Sequence, residues 1–251
     1  MARKYGWHPD TPDFRDKYRT KAPFYKAFLL PKSADLRPGM PPVYDQGETS
    51  SCTANAIGAA IQYNRIKEKL QDFVPSRLFI YFLERDFEGD INQDGGAEIK
   101  DGIKMVSQYG VCPETEWPFE VANLTVRPTD ACYADAKKNL VTLYERVDQN
   151  LVQLKTILAG GEPIVFGITV YDSFESDAVA STGVVPMPLP SEKSQGGHAI
   201  LLVGYDDARN AFLFRNSWAD SWGLGGYAWI PYDYVTNSDL ATDFWVIKTV
   251  A

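Results

Sequence analysis

From Cys52 to Leu70 the apolar positions recur at helical spacing, with Ala56, Ala59, Tyr63, Ile66 and Leu70 on one face. Ile57, Ala60 and Ile61 cover much of the other face over the first turns, so this helix is apolar nearly all round at its start and reads as buried. Ser76 to Phe87 and Glu98 to Tyr109 read as two further helices, the second with Ile99, Ile103 and Val106 at i, i+4 and i+7. After residue 140 the texture changes to short runs rich in β-branched and aromatic residues: Val141–Val147, Pro163–Val170, His198–Tyr205, Ala211–Asn216, Gly226–Ile230 and Asp243–Val250. One helix, Leu151–Leu158, interrupts them. A helical front half and a β back half predict an α+β protein with two lobes, helical over 40–130 and β over 131–240, and a cleft between them is a favoured place for a site. Residues 1–29 carry Trp7, Pro9, Pro12 and Pro23 without helical periodicity and read as an extended arm ahead of a domain spanning 30–251.

An apolar content of 45% over 251 residues is ample for a core, and a formal net charge of −8 argues against nucleic acid or an anionic membrane as the main partner. No run approaches the roughly 18 apolar residues of a membrane helix. Met1 to Asp10 lacks the apolar centre of a secretory signal, so the expectation is a cytoplasmic protein, with secretion of a trimmed form left open. Three cysteines are too few for a disulfide framework and leave at least one thiol free. Cys52 is the candidate for that thiol, and Cys112 and Cys132 either pair or remain as buried free residues. With two histidines a multi-histidine metal centre is not expected, and no cofactor is called for. His8 lies in a Pro-rich segment, which leaves His198 as the base.

Cys52 follows Gln46 by six positions, and the chain later supplies His198 in Gly-Gly-His-Ala and Asn216 in Arg-Asn-Ser-Trp. A thiol is a useful nucleophile only as its thiolate, and a helix N-terminus favours that anion. An imidazole at His198 would complete an ion pair across the cleft, Asn216 would accept the second ring N–H, and Trp218 would shield that bond from water. The Gln46 amide and the Cys52 backbone N–H would form a two-donor oxyanion hole. The reaction implied is acyl transfer to sulfur followed by hydrolysis.

Leu30-Pro-Lys-Ser-Ala-Asp-Leu-Arg37, Asp45-Gln46-Gly47, Ser51-Cys52, Asp94-Gly95-Gly96, His198-Ala199 with Val203-Gly204-Tyr205, and Asn216-Ser217-Trp218 with Trp222-Gly223 and Gly226-Tyr227 together resemble the papain-like cysteine peptidases. The pieces follow family order, and Cys52 to His198 is 146 positions, within the roughly 130–150 of papain-type enzymes. The resemblance implies a two-lobed fold with an antiparallel β-barrel-like second lobe. It implies Cys52 as nucleophile, His198 as acid and base, Asn216 as orienter, and Gln46 in the oxyanion hole. It further implies that Gly96 and Gly95 bond a bound peptide strand, and that Ala97, Gly167 and Ala199 border a roomy pocket for the second residue before the cut. Trp218 and Trp222 would wall the leaving-group side.

Departures from the family pattern are informative. Glu48-Thr49-Ser50 stands where many members have a Cys and a Gly, so one family disulfide is missing and Ser50 adds a side chain beside the attacked residue. Thr53 replaces a Trp, and Gly197 precedes His198 where an Asp is frequent. The arm is short beside the large family prodomains, but Trp7, Phe14, Phe24, Tyr25 and Phe28 would be exposed unless it packs on the domain, so it is expected to cover part of the cleft as an autoinhibitor.

Two rivals share the same residues: a catalytically silent peptide-binding relative, and an acyl transferase or peptide ligase passing the thioester to an amine. Asp90-Ile-Asn92-Gln-Asp94-Gly95 with Asp101 matches most of a calcium loop, against which stand Asp101 in place of a bidentate Glu and the absence of a second hand. Asn123-Leu-Thr125 is a glycosylation pattern without a secretory context.

Overall fold

The computed structural model describes residues 4–21 and 29–249. The predicted central helix is α1, Cys52–Lys67, in which every residue from Cys52 to Arg65 is buried. An element apolar on all sides needs neighbours on all sides, and α1 has them. On one side lie α2 (Arg77–Glu88) and α3 (Ile99–Tyr109), on the other a mixed-length antiparallel sheet. The Ser76 hydroxyl caps α2 by accepting from Phe79 N, and Gly89 ends it at φ 81°.

The sheet is built from β4 (Val141–Arg146), β5 (Ile164–Tyr171), β6 (Ser194–Asp206), β7 (Ala211–Arg215), β8 (Tyr227–Pro231) and β9 (Ala241–Thr249). Their order is β4-β9-β5-β6-β7-β8, and β2 (Ser33–Asp35) adds to β6. All of these pairings are antiparallel, and among the described residues β4 and β8 do not join, so the second lobe curls without closing into a barrel. Because β9 sits between β4 and β5, the β lobe extends past residue 240, where the sequence placed its end. Strand alternation divides the core. Val165, Ala199, Leu201, Val203, Trp245 and Ile247 face α1, whereas Phe166, Ile200, Leu202, Phe244 and Val246 face a second core with α5 (Leu151–Ala159). Three short helices were not anticipated: α4 (Asp130–Ala136), α6 (Asp177–Thr182) and α7 (Tyr232–Thr236). Among the described residues no helix is long and apolar enough to cross a membrane.

The arm is stitched to the domain rather than trailing from it. Trp7–His8 forms β1, which pairs in parallel with β3 (Ala97–Glu98). Asp10 is buried: its backbone N–H donates to Asp243 Oδ2 at 2.8 Å, and its carboxylate accepts from Lys100 N at 3.0 Å and Trp245 Nε1 at 2.8 Å. Further on, Arg19 N donates to Arg146 O and Arg146 N to Lys17 O, both at 2.8 Å. Of the aromatics expected to be covered, Trp7 is buried but Phe14 is 98% exposed; Phe24, Tyr25 and Phe28 lie outside the described residues. Phe14 sits where the arm turns on the surface, Asp13 and Arg15 bonding each other there, so nothing covers its ring.

Arg77 ties the loop that carries Gln46 to α2. Its Nε and Nη2 each donate to Glu114 at 2.8 Å, and Nη1 donates to Asp45 O at 2.9 Å and Asn55 Oδ1 at 3.0 Å. The guanidinium lies 4.0 Å from the Phe119 ring centroid and 4.8 Å from that of Tyr44. Replacing Arg77 with Met leaves Glu114 and the Asp45 carbonyl without their donor, and the expected loss in urea unfolding is about 3 kcal/mol. A loss below about 1 kcal/mol, typical of an exposed pair, would show that this clamp carries little load.

Candidate active site

Cys52 is the first residue of α1, and its thiol is fully buried. Helix α1 packs across β6, so the sulfur meets the backbone of Ala199, the residue after His198. Backbone hydrogen bonds from Ala199, Gly6 and Thr53 favour the sulfur anion, yet burial outweighs them and pushes the thiol up to about 11. The anion-favouring helix start anticipated from sequence is present, but with the arm in place desolvation wins.

His198 is wholly buried on β6, and its Nε2 lies 2.8 Å from Asn216 Oδ1. That oxygen also accepts from Ser217 N at 2.9 Å, so it is an acceptor and the ring nitrogen facing it carries the proton. In the neutral ring Nδ1 is then the basic nitrogen. The Trp218 indole stacks on the imidazole with centroids 4.9 Å apart and planes at 23°. Trp222 meets Trp218 edge-on at 5.2 Å.

Gln46 is held at both ends. Its backbone N donates to Ser217 O at 2.9 Å, its Oε1 accepts from Ser217 Oγ at 2.6 Å, and its Nε2 donates to Thr49 O at 2.8 Å. The Ser217 hydroxyl thereby fixes which end of the amide presents N–H groups, a role the sequence reading missed. Its position between Asn216 and Trp218 was the available signal. Thr53, in place of the family Trp, donates to Glu84 Oε2 at 2.8 Å beneath the nucleophile. Glu84 is fully buried, and desolvation raises its carboxyl well above the usual range, which favours its neutral form.

The residues expected to bind substrate instead surround the arm. Ala97 N donates to Gly6 O at 2.7 Å, whereas Gly96 N donates to the Tyr81 hydroxyl at 3.0 Å. The arm is therefore bonded by the Ala97 N–H, while the Gly96 N–H is engaged by Tyr81. Gly96 contributes closeness: at φ 96°, a methyl built on it would stand 2.0 Å from Gly6 O. Gly95 faces Asp90 rather than the arm. Ser50 is buried, its N donates to Asp94 Oδ1 at 2.9 Å, and a methyl on Gly6 would stand 1.8 Å from its carbonyl oxygen. Gly167 and Gly197 receive the Trp7 indole, and Ala199 lies in the same core cluster as Trp7. Tyr5 completes the cover, edge-on to His198 at 5.9 Å and to Trp218 at 6.2 Å.

Asp94 of the calcium-like loop accepts from Ser50 N, from the Tyr81 hydroxyl at 2.9 Å and from Lys4 Nζ at 2.7 Å, so its oxygens serve the arm and the cleft wall. Cys112 and Cys132 are both buried and free, with a Glu116 carboxylate oxygen within 4.8 Å. His8 is exposed, away from the chemistry. A groove of about 610 Å³ between Asp16 and Tyr144 also lies elsewhere; beside Asn216 only about 10 Å³ is open.

A sequence model described as papain family cysteine protease matches residues 30–246. The chain belongs to that family. It resembles the crystal structure of xylellain, a cysteine protease from Xylella fastidiosa, at 45% identity and a TM-score of 0.92, covering 100% of this chain and 99% of that one. A peptidase C1-like protein of Acanthamoeba polyphaga mimivirus is 39% identical over 100% of this chain and 88% of its own length. The digestive cysteine proteinase 1 of Homarus americanus is 27% identical over 90% of this chain and 70% of its own. The papain-like fold expected from the motifs is thus the fold of this chain, and the protein is a papain-family cysteine protease, a hydrolase.

Replacing Gly6 with Val sets side-chain atoms against the Ser50 carbonyl and expels the arm without shortening the chain. A raised thiol pKa means that little thiolate is present at neutral pH, so wild-type Cys52 should alkylate slowly with iodoacetamide and keep accelerating toward pH 11. The Gly6→Val protein should react about tenfold or more faster at pH 7, with its pH midpoint shifted down. Superimposable pH profiles would show that the arm does not control the thiol.

Proposed function

We propose that this papain-family protease hydrolyses peptide bonds through a thioester at Cys52, with Tyr5–His8 as an internal cover of the cleft. The observation that carries this reading is the 2.8 Å His198–Asn216 bond on a strand whose next backbone group, at Ala199, touches the sulfur. With the arm displaced, water returns to the cleft, the desolvation penalty falls, and His198 can take the thiol proton. The sulfur then attacks the carbonyl carbon, and the carbonyl oxygen becomes an anion between Gln46 Nε2 and the Cys52 N–H. His198 returns the proton to the departing amine, leaving a thioester. Water, giving its proton to His198, attacks the thioester and releases the acid and the thiol.

This chemistry sets a direction along the cleft. The amine must leave beside His198, so the C-terminal part of a substrate lies toward Trp218 and the acyl part toward Gly167. The arm runs the opposite way, with Tyr5 at Trp218 and Trp7 at Gly167. A reversed chain offers its peptide group to the sulfur in the wrong sense, and this supports a cover that persists instead of being cut.

The test is labelling of the Gly6→Val protein with a thiol-directed epoxide, mass mapping, and peptide turnover. Modification should fall on Cys52 and require His198, being lost in His198→Ala. Gln46→Ala should lower kcat by about 100- to 1000-fold, the cost of one oxyanion donor. Products bearing an added amine would identify a ligase. Peptide binding without turnover in the uncovered protein would identify a silent relative.

A further inference from the structure

We infer that Cys112, Glu116 and Cys132 form a binding site for a thiophilic divalent cation of the zinc class. The two Sγ atoms and a Glu116 carboxylate oxygen lie within 4.8 Å of one another, and neither cysteine is in a disulfide. Two sulfurs each about 2.3 Å from a tetrahedral ion stand about 3.8 Å apart, so closing on one takes movements of about 1 Å or less. Two thiolates with a carboxylate suit zinc, whereas calcium and magnesium take oxygen ligands alone. The expectation of no metal centre rested on the count of histidines, and this ligand set uses none.

The ligands are carried by segments already fixed. Cys112 O accepts from Ser76 N at 2.9 Å and Trp117 O from the Ser76 hydroxyl at 2.7 Å, so the stretch bearing Cys112 and Glu116 is pinned at both ends to the start of α2. Between them the Glu114 carboxylate is held by Arg77. Cys132 stands in the first turn of α4, where the Thr129 hydroxyl oxygen accepts from Cys132 N at 3.3 Å. The hydroxyl proton is thereby left for the sulfur, 3.1 Å away, as a hydrogen bond to a metal-bound thiolate. Both cysteines are buried, whereas Glu116 is exposed and swings freely enough to close over an ion. Lys138 is taken by Asp135 at 2.5 Å, and the Glu116 carboxylate has no salt bridge among the described residues. A groove of about 440 Å³ lined by Glu116, Thr129, Cys132, Asp135 and Lys138 gives an ion its entry and a water its place as fourth ligand. A disulfide would use the sulfurs alone and leave the third donor without a task. On binding, the ion sheds waters and the two thiols release two protons to solvent, with no electron transferred.

The experiment uses the full chain carrying Cys52→Ser, kept reduced with a phosphine, so that Cys112 and Cys132 are its only thiols and the nucleophile can hold no cation. Cobalt(II) is titrated as the spectroscopic stand-in for zinc. One ion per chain should bind with sulfur-to-cobalt charge-transfer absorption and the visible bands of a tetrahedral ion, and added zinc should displace it. Glu116→Gln alters an exposed side chain and should weaken binding by about tenfold or more, and Cys132→Ser should weaken it further. Zinc should also raise the Tm of the Cys52→Ser chain and leave that of Cys52→Ser/Cys132→Ser unchanged. Binding without charge-transfer absorption, or no binding at millimolar ion, overturns the site. A Glu116→Gln titration that superimposes on its parent overturns the three-ligand set as well, and it does so even where Cys132→Ser fails to fold.

Discussion

The burial of α1 on every side is the constraint from which the site follows. A helix with Ile57, Ala59, Ala60 and Ile61 around its whole circumference is stable only when wrapped, and here α2, α3 and the sheet supply the wrapping. Because the small residues Ala56 and Ala59 face Ala199, Ile200 and Leu201, the helix approaches the strand closely, and its first residue ends against the backbone of β6. The sulfur is therefore brought to β6 by the packing of its helix, where backbone N–H groups of Ala199, Gly6 and Thr53 meet it. His198 needs no loop to reach it, since it sits on the strand that α1 crosses.

Two opposing effects meet at that sulfur. Helix start and backbone donors favour an anion, typically by a fraction of a kcal/mol to about 2 kcal/mol, whereas complete burial disfavours one by several pKa units at its extreme. The direction of the Cys52 shift shows which prevails while the arm lies in the cleft. On the proposed reading a covering segment thus acts twice: it occupies the substrate's space, and it removes the water that a thiolate requires. The upward shift of the Glu84 carboxyl beneath Thr53 acts in the thiolate's favour, because a second buried anion there would oppose the thiolate further.

Much of this was legible in the sequence because its signals are local. Helical spacing marked α1 from Cys52, and only its end differed: the chain turns at Lys69, φ 58°, and Leu70 N folds back to Arg65 O. Gln46, Cys52, His198 and Asn216 were readable because each stands in a short motif whose order the fold requires. Ser217 was not, since its role as a clamp on Gln46 exists only when residues 171 positions apart meet. Strand β6 begins at Ser194, ahead of the predicted His198, because Gly196 and Gly197 have poor strand propensity and are held there by pairing with β5. Asp243 sits at φ 58° inside β9, an irregularity that no alternation pattern predicts. The seven-residue α4 depends on its Thr129 cap and on packing of Cys132 and Ala136, too few positions to show a period.

The arm was the least legible part, and the reason is physical. Its path is written in absences: Gly6, Gly96, Gly167 and Gly197 each lack the atoms that would collide with a neighbouring chain. Scattered over 191 positions, these glycines carry no spacing rule and look like ordinary strand weakeners or turn residues until the fold gathers them. Once gathered, the three on the cleft wall, Gly96, Gly167 and Gly197, line the path by which the arm passes the sulfur, and on the proposed reading a substrate takes the same path. What differs between those two occupants is direction, and direction is invisible to sterics at glycine. It is read only by the asymmetric chemistry of the site, where the group beside His198 must be an amine able to leave. On the proposed reading a single channel holds its own N-terminal segment reversed or a peptide forward, and Gly96, Gly167 and Gly197 on the cleft wall serve both states.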